Sequence, residues 1–157
     1  MKAALALGVM TLVACQPKNA SQGDSSAQTA VDTLRGTLVL EGSVPYEIAA
    51  LRTSTGRVVI DSAQPQILRL SQLDLWVRGR RTAPDHFVVE AYRVRTANGA
   101  RAWDGILRSG PGGLLIELED GSTHPIRGAP ANLAQLSGAR IWITENADGS
   151  VREYGQL

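Results

Sequence analysis

Apolar and polar residues alternate along much of the chain from residue 34 onward, and one alternating stretch occurs twice: LSQLDLWV at 70–77 returns as LSGARIWI at 136–143. When 60–78 is laid over 126–144 without a gap, Ile60 falls on Ile126, Ala63 on Ala129, Leu70 on Leu136 and Trp76 on Trp142. In the same register Ile67 meets Leu133, Leu75 meets Ile141 and Val77 meets Ile143. Small shifts extend the likeness outward, to Gly36 with Gly105, Gly56 with Gly121, and Val89 and Tyr92 with Val151 and Tyr154. Any two β-rich stretches share alternation, but a tryptophan shared inside an ungapped apolar register points to an internal duplication.

Period and punctuation order the elements within each copy. In the first, 36–42, 47–53 and 57–61 read as strands, the third introduced by the turn residues Ser54, Thr55 and Gly56. The pattern then changes, because AQPQILRL at 63–70 sets Pro65 near the start of a helical turn and puts Ile67 and Leu70 on one side of it. Strands follow at 73–80 and 86–95. The second copy repeats the order, with strands at 105–109, 114–119 and 122–127, a helical turn at 130–136 ended by Gly138, and strands at 139–145 and 151–156. Asp120-Gly121 and Asp148-Gly149 are hairpin turn signals, and Asn98-Gly99 gives a tight turn to the short joining segment 96–104.

Three strands, a short helix and two further strands is the element order of the OB-fold, a five-stranded Greek-key barrel. An SH3-like barrel sets its helical turn between the fourth and fifth strands instead. The chain therefore resembles exported bacterial proteins that carry small OB-like modules. This resemblance implies an all-β chain made of a tandem pair of small five-stranded barrels, each with one short helix between strands three and four, over 34–97 and 98–157. Barrels this small bury modest cores, so the two are expected to pack on each other as one body.

Ahead of the duplicated region, MKAALALGVMTLVAC opens with Lys2 and continues as an apolar run ending at Ala14. That run is about a dozen residues, too short to span a bilayer, and 1–14 has the form of an export signal. Its end, Leu12-Val13-Ala14-Cys15, is similar to the lipobox of bacterial lipoproteins, in which cleavage exposes the cysteine for acylation. The resemblance implies that Cys15 carries fatty-acyl chains such as palmitate and anchors the protein to a membrane, several chains holding firmly where one would not. Cys15 is also the sole cysteine, and so would have no disulfide partner in an oxidising compartment. Gln16, in place of Asp, is what the family's sorting pattern associates with the outer membrane of a Gram-negative envelope, facing the periplasm. From residue 15 to residue 33 the chain is rich in Ser, Ala and Gln, lacks apolar periodicity and reads as a flexible tether with a reach of roughly 20 to 25 Å.

Two features suggest binding. If Leu75, Val77, Ile141 and Ile143 fill the barrels, Trp76 and Trp142 point outward, either as a pseudo-symmetric packing seam or as a surface that stacks a ligand. The second feature is arginine. Nine Arg face six acids over 34–95 (+3), while five Arg face seven acids over 101–157 (−2). The densest group, Arg78-Gly79-Arg80-Arg81, is expected in the loop joining strands four and five, which OB-folds use for ligands. There it would meet an acidic protein partner or a small anionic ligand, with His86 nearby, or else form a solvated loop.

Other classes fit poorly. Single-strand nucleic-acid binding needs a basic groove with aromatic platforms, and this chain has a formal charge of +1 with one Phe, three Trp and three Tyr. His86 and His124 fall in unmatched positions, with no metal-ligand spacing around them, and His124 before Pro125 reads as a surface residue. Ser109-Gly110-Pro111-Gly112-Gly113 lacks the Gly-Lys-Ser/Thr ending of a phosphate loop and reads as a hairpin turn. The expectation is a non-catalytic, membrane-anchored envelope lipoprotein, with no cofactor and no metal. It would bind a protein partner through Trp76, Arg78, Arg80 and Arg81, or alternatively a glycan or small anion, with Trp76 or Trp142 as platform.

Overall fold

A computed structural model describes residues 31–61 and 64–157. The expected export signal, Cys15 and the expected tether up to residue 30 lie outside the described residues. These form ten strands: β1 (Asp32–Glu41), β2 (Ile48–Thr53), β3 (Gly56–Asp61), β4 (Asp74–Ala83), β5 (His86–Ala97), β6 (Ala100–Gly110), β7 (Gly113–Leu118), β8 (Thr123–Pro125), β9 (Arg140–Glu145) and β10 (Val151–Gln156). One helical turn, α1 (Pro65–Leu68), falls between β3 and β4, and a 3₁₀ turn (Leu133–Leu136) between β8 and β9. The chain is all-β, as its alternation implies.

Pairing within the first five strands runs from β1 through β2, β3, β5 and β4 and back to β1, antiparallel except between β3 and β5. The last five follow the order β8, β7, β6, β9, β10. A single parallel bridge between Arg127 and Ser150 stands where the parallel β3–β5 pairing stands in the first unit.

The correspondence between the two halves is sharper in the register than in the sequence. Gly36 faces Leu75 and Leu38 faces Leu51; correspondingly, Gly105 faces Ile141 and Leu107 faces Ile116. The Leu38 N–H donates to the Leu73 carbonyl at 2.9 Å, and its own carbonyl accepts from the Gln72 N–H at 2.8 Å. Leu107 makes the same two bonds with Ala139 at 2.9 Å and Gly138 at 2.8 Å. A Cβ added at Gly36 would lie 2.2 Å from the Arg52 carbonyl oxygen, and one at Gly105 would lie 2.2 Å from that of Glu117. Both glycines let the neighbouring strand's backbone cross close to the first strand.

Alternation puts Leu38, Leu51, Leu75, Val77 and Phe87 inside the first unit and Leu107, Ile116, Ile141 and Ile143 inside the second. Ile67 and Leu133, the matched residues of the two helical turns, join the two cores. Each such side chain contributes about 2 kcal/mol by leaving water.

Three differences from the sequence reading bear on the site. β1 starts at Asp32, inside the expected tether, where the Asp32 carboxylate accepts from Arg81 Nε at 2.9 Å. β4 runs to Ala83, so Arg78-Gly79-Arg80-Arg81 lies in a strand and not in a loop. Gly79 makes this possible, because the Phe87 ring and the Val88 carbonyl fill the space a Cβ would need. The joining segment is likewise strand on both sides of a two-residue turn, with Asn98 at φ 48° and Gly99 at φ 76°. A turn with two left-handed residues continues the twist of its flanking strands, so one hairpin ties the two units together.

Candidate functional site

Alternation along β4 and β9 turns both tryptophans away from the cores, since Leu75, Val77, Ile141 and Ile143 are fully buried. Arg35 faces Trp76 across β1 and β4, and Asp104 faces Trp142 across β6 and β9, so Arg35 and Asp104 hold corresponding places. From here the two outer faces diverge.

In the second unit the face is closed against the first. The Asp104 carboxylate, 4% exposed, accepts from Arg140 Nε and Nη2 at 2.9 Å each and from the Val94 N–H at 2.8 Å. Arg140 Nη2 also donates to the Tyr92 carbonyl at 2.5 Å, and the guanidinium lies 5.0 Å from the Tyr92 ring centroid. Tyr92 and Val94 belong to the part of β5 that has left β3, so the ion pair supplies hydrogen bonds that a neighbouring strand would otherwise make. Burial pushes the Asp104 carboxyl up, with Arg140 pulling against it. Trp142 and Ala102 pack with the core of the first unit, and the Trp142 indole also covers Gly155, where a Cβ would come 2.6 Å from Nε1. Thr144, on the same face, is fully buried with no hydrogen-bond partner for its hydroxyl among the described residues.

In the first unit the corresponding face lines an open groove of about 630 Å³ that also takes in residues of the second unit. Trp76 lies between Arg35 on β1 and Arg93 on β5, with the Arg93 guanidinium 5.2 Å from its ring centroid. Arg101 sits 4.1 Å from the ring centroid of Trp103, so two arginine–tryptophan pairs line one groove. Arg93 reaches across to an ion pair with Glu119, and Arg95 pairs with Asp74 at 3.1 Å. Arg35 and Arg101 make no ion pair among the described residues. A guanidinium laid flat on an indole keeps its N–H edge available to a planar acceptor such as a carboxylate.

The residues singled out in the sequence are only partly brought together. Arg78 lies two positions from Trp76 on the same face and Arg80 is exposed further along β4. Arg81 is engaged, donating to Asp32 at 2.9 Å and to the Pro84 carbonyl at 2.7 Å. Trp142 belongs to the seam and Trp76 to the groove. Sequence reading missed Arg35, Arg93, Arg95, Arg101 and Trp103, which come from three strands. A signal existed in the duplication itself: acidic Asp104 matches basic Arg35, and aromatic Trp103 matches aliphatic Leu34.

Each histidine meets a carboxylate of its own unit. His86 Nδ1 lies 2.7 Å from Asp61 Oδ1, and the Thr82 hydroxyl donates to Asp61 Oδ2 at 2.5 Å. Thr82 first, and His86 second, hold the Asp61 carboxyl below the usual range, and Asp61 in turn raises His86. His86 thus serves Asp61 and not the arginines. His124, expected at the surface, is half-buried: its ring stacks on Trp103 at 3.8 Å, and its Nε2 lies 2.8 Å from Glu145 Oε1. Trp103 Nε1 donates to the other Glu145 oxygen at 3.0 Å. Two groups packed this close to one ring take opposite faces, so Trp103 is clamped between Arg101 and His124. Among the described residues no helix is long and apolar enough to cross a membrane. No family model, curated protein or solved structure matches the chain.

Proposed function

We propose that the chain is a non-catalytic, lipid-anchored envelope protein whose two five-stranded units are OB-like barrels, 34–97 and 98–157, and that it binds a protein partner through the outer face of the first. The order of strand pairing in each unit, with a helical turn between the third and fourth strands, supports the OB-like reading. The sequence around Cys15 supports acylation, and Gln16 supports an outer-membrane position facing the periplasm.

The observation that carries the binding reading is the unequal use of two equivalent faces. The face bearing Trp142 packs against the core of the first unit, while the corresponding face bearing Trp76 lines an open groove set with arginine. A half-buried tryptophan held in an open groove is the kind of anchor on which interfaces centre. Photocrosslinking tests the reading, with a crosslinking residue replacing Arg78 and a control replacing Arg152, which lies on β10. In the native host a discrete protein adduct is expected at 78 and none at 152; equal adducts, or none, would defeat it. The concavity of the groove favours one second reading, an anionic glycan lying between the arginines.

A further inference from the structure

The groove itself defines what the partner must present. We infer that it receives an acidic polypeptide segment, whose carboxylates engage Arg35 and Arg101 and displace Glu119 from Arg93. This rests on the protein-binding reading above and names the chemistry of its site.

Four arginines and three acids line the groove: Arg93 is paired with Glu119 and Arg95 with Asp74, while Asp104 is taken up by Arg140 and Asp120 accepts from Ser122. Arg35 and Arg101, from β1 and β6, bring positive charge to the same groove without an ion-pair partner among the described residues. Carboxylate is the acceptor that matches a guanidinium fork in two-point fashion. Trp76 and Trp103 already hold the Arg93 and Arg101 guanidinium groups against their rings before any ligand arrives, so less side-chain freedom is lost on binding. The clamp of His124 and Glu145 on Trp103 makes that wall rigid.

Glu119 already shows how a carboxylate sits there. It belongs to the turn after β7 in the second unit, yet its side chain meets Arg93 of the first, and it is mostly exposed at 62%. An exposed ion pair of this kind is weak and exchanges readily for a ligand carboxylate. Glu119 is therefore an internal competitor. Leu118 and the rings of Trp76 and Trp103 add apolar surface to the same groove, which suits aliphatic stems between acidic groups better than the hydroxyl-rich faces of a sugar chain.

The test uses the full chain in detergent and a fluorescein-labelled oligoglutamate peptide, with binding read by fluorescence anisotropy. Binding is expected to weaken as salt is raised. Arg35→Ala and Arg101→Ala should each weaken it about tenfold, that is by about 1.4 kcal/mol. Glu119→Gln should tighten it, and Arg152→Ala should leave it unchanged. Equal loss in Arg152→Ala, no gain in Glu119→Gln, or no binding at low salt would overturn the inference. A protein adduct at position 78 without oligoglutamate binding would remove the acidic segment and leave the partner reading standing. Tighter binding of oligogalacturonate, together with no adduct, would remove both.

Discussion

Trp76 and Trp142 occupy the same place in two copies of one strand arrangement, yet Trp142 lies against Gly155 and the core of the first unit while Trp76 lies under Arg93 in an open groove. The residue opposite each one on the last strand of its unit decides much of this difference. Trp142 faces Gly155, whose missing side chain lets the indole lie down on the backbone, and Trp76 faces Arg93. Two corresponding surfaces thus serve two ends, one packing the two units together and the other facing outward.

Asp104 is the centre of the seam. Asp104→Ala would leave the Arg140 charge and the Val94 N–H without their partner and is expected to cost about 3 to 5 kcal/mol. Asp104→Asn should cost less, and urea unfolding of both variants checks the order. The pH dependence has a definite sign. Because the folded carboxyl lies above its unfolded value of 3.8, folding takes up a proton in the window between the two. Its contribution to stability falls as pH rises through that window and recovers on acidification.

The Asp61–His86 pair behaves in the opposite way at its acidic end. His86 is raised above 6.5, so its contribution is fully present below 6.5 and is lost as pH rises through the folded value. Asp61 is lowered below 3.8, so its contribution is present above 3.8 and is lost as pH falls through the folded value. An NMR titration of the His86 ring is expected to give a midpoint above 6.5 that moves back toward 6.5 in Asp61→Asn. A midpoint unchanged by that substitution would show that Asp61 is not the cause.

Gly36 and Gly105 mark matched places in the two units where a neighbouring backbone crosses too closely for a side chain. Gly36→Ala and Gly105→Ala should each destabilise the chain by about 3 kcal/mol, the upper end for an overpacked site. Gly112→Ala, at a position with open space around it, serves as the control in thermal unfolding.

Thr144 buries a hydroxyl that finds no partner among the described residues. Valine has nearly the same shape without the polar group, so Thr144→Val is expected to stabilise the protein by about 1 kcal/mol. A loss of stability would reveal a partner for the hydroxyl.

Much of the architecture was legible because the alternation is strict and the core residues are aliphatic. Ile67 and Leu133, Leu75 and Ile141, and Val77 and Ile143 all fall inside, as their matched positions require. Extents were harder. Arginines in Arg78-Gly79-Arg80-Arg81 suggest a loop, but Gly79 accommodates Phe87 and keeps that stretch in β4. The groove could not be read from sequence order, because its arginines lie on β1, β5 and β6 and meet only through the closed pairing and the hairpin at Asn98-Gly99. His124 was misread because its stacking partner Trp103 and its acceptor Glu145 lie far from it along the chain.

If the Trp142 face holds the fold together and the corresponding Trp76 face meets a partner, paired substitution separates the two roles. Trp142→Ala and Trp76→Ala would be compared for unfolding free energy and for protein adducts formed at a crosslinker at position 78. The expected result is a loss of about 3 kcal/mol for Trp142→Ala, against less than about 1 kcal/mol for Trp76→Ala, with the adduct lost in Trp76→Ala. Equal costs, or an adduct that survives Trp76→Ala unchanged, would contradict the division of roles.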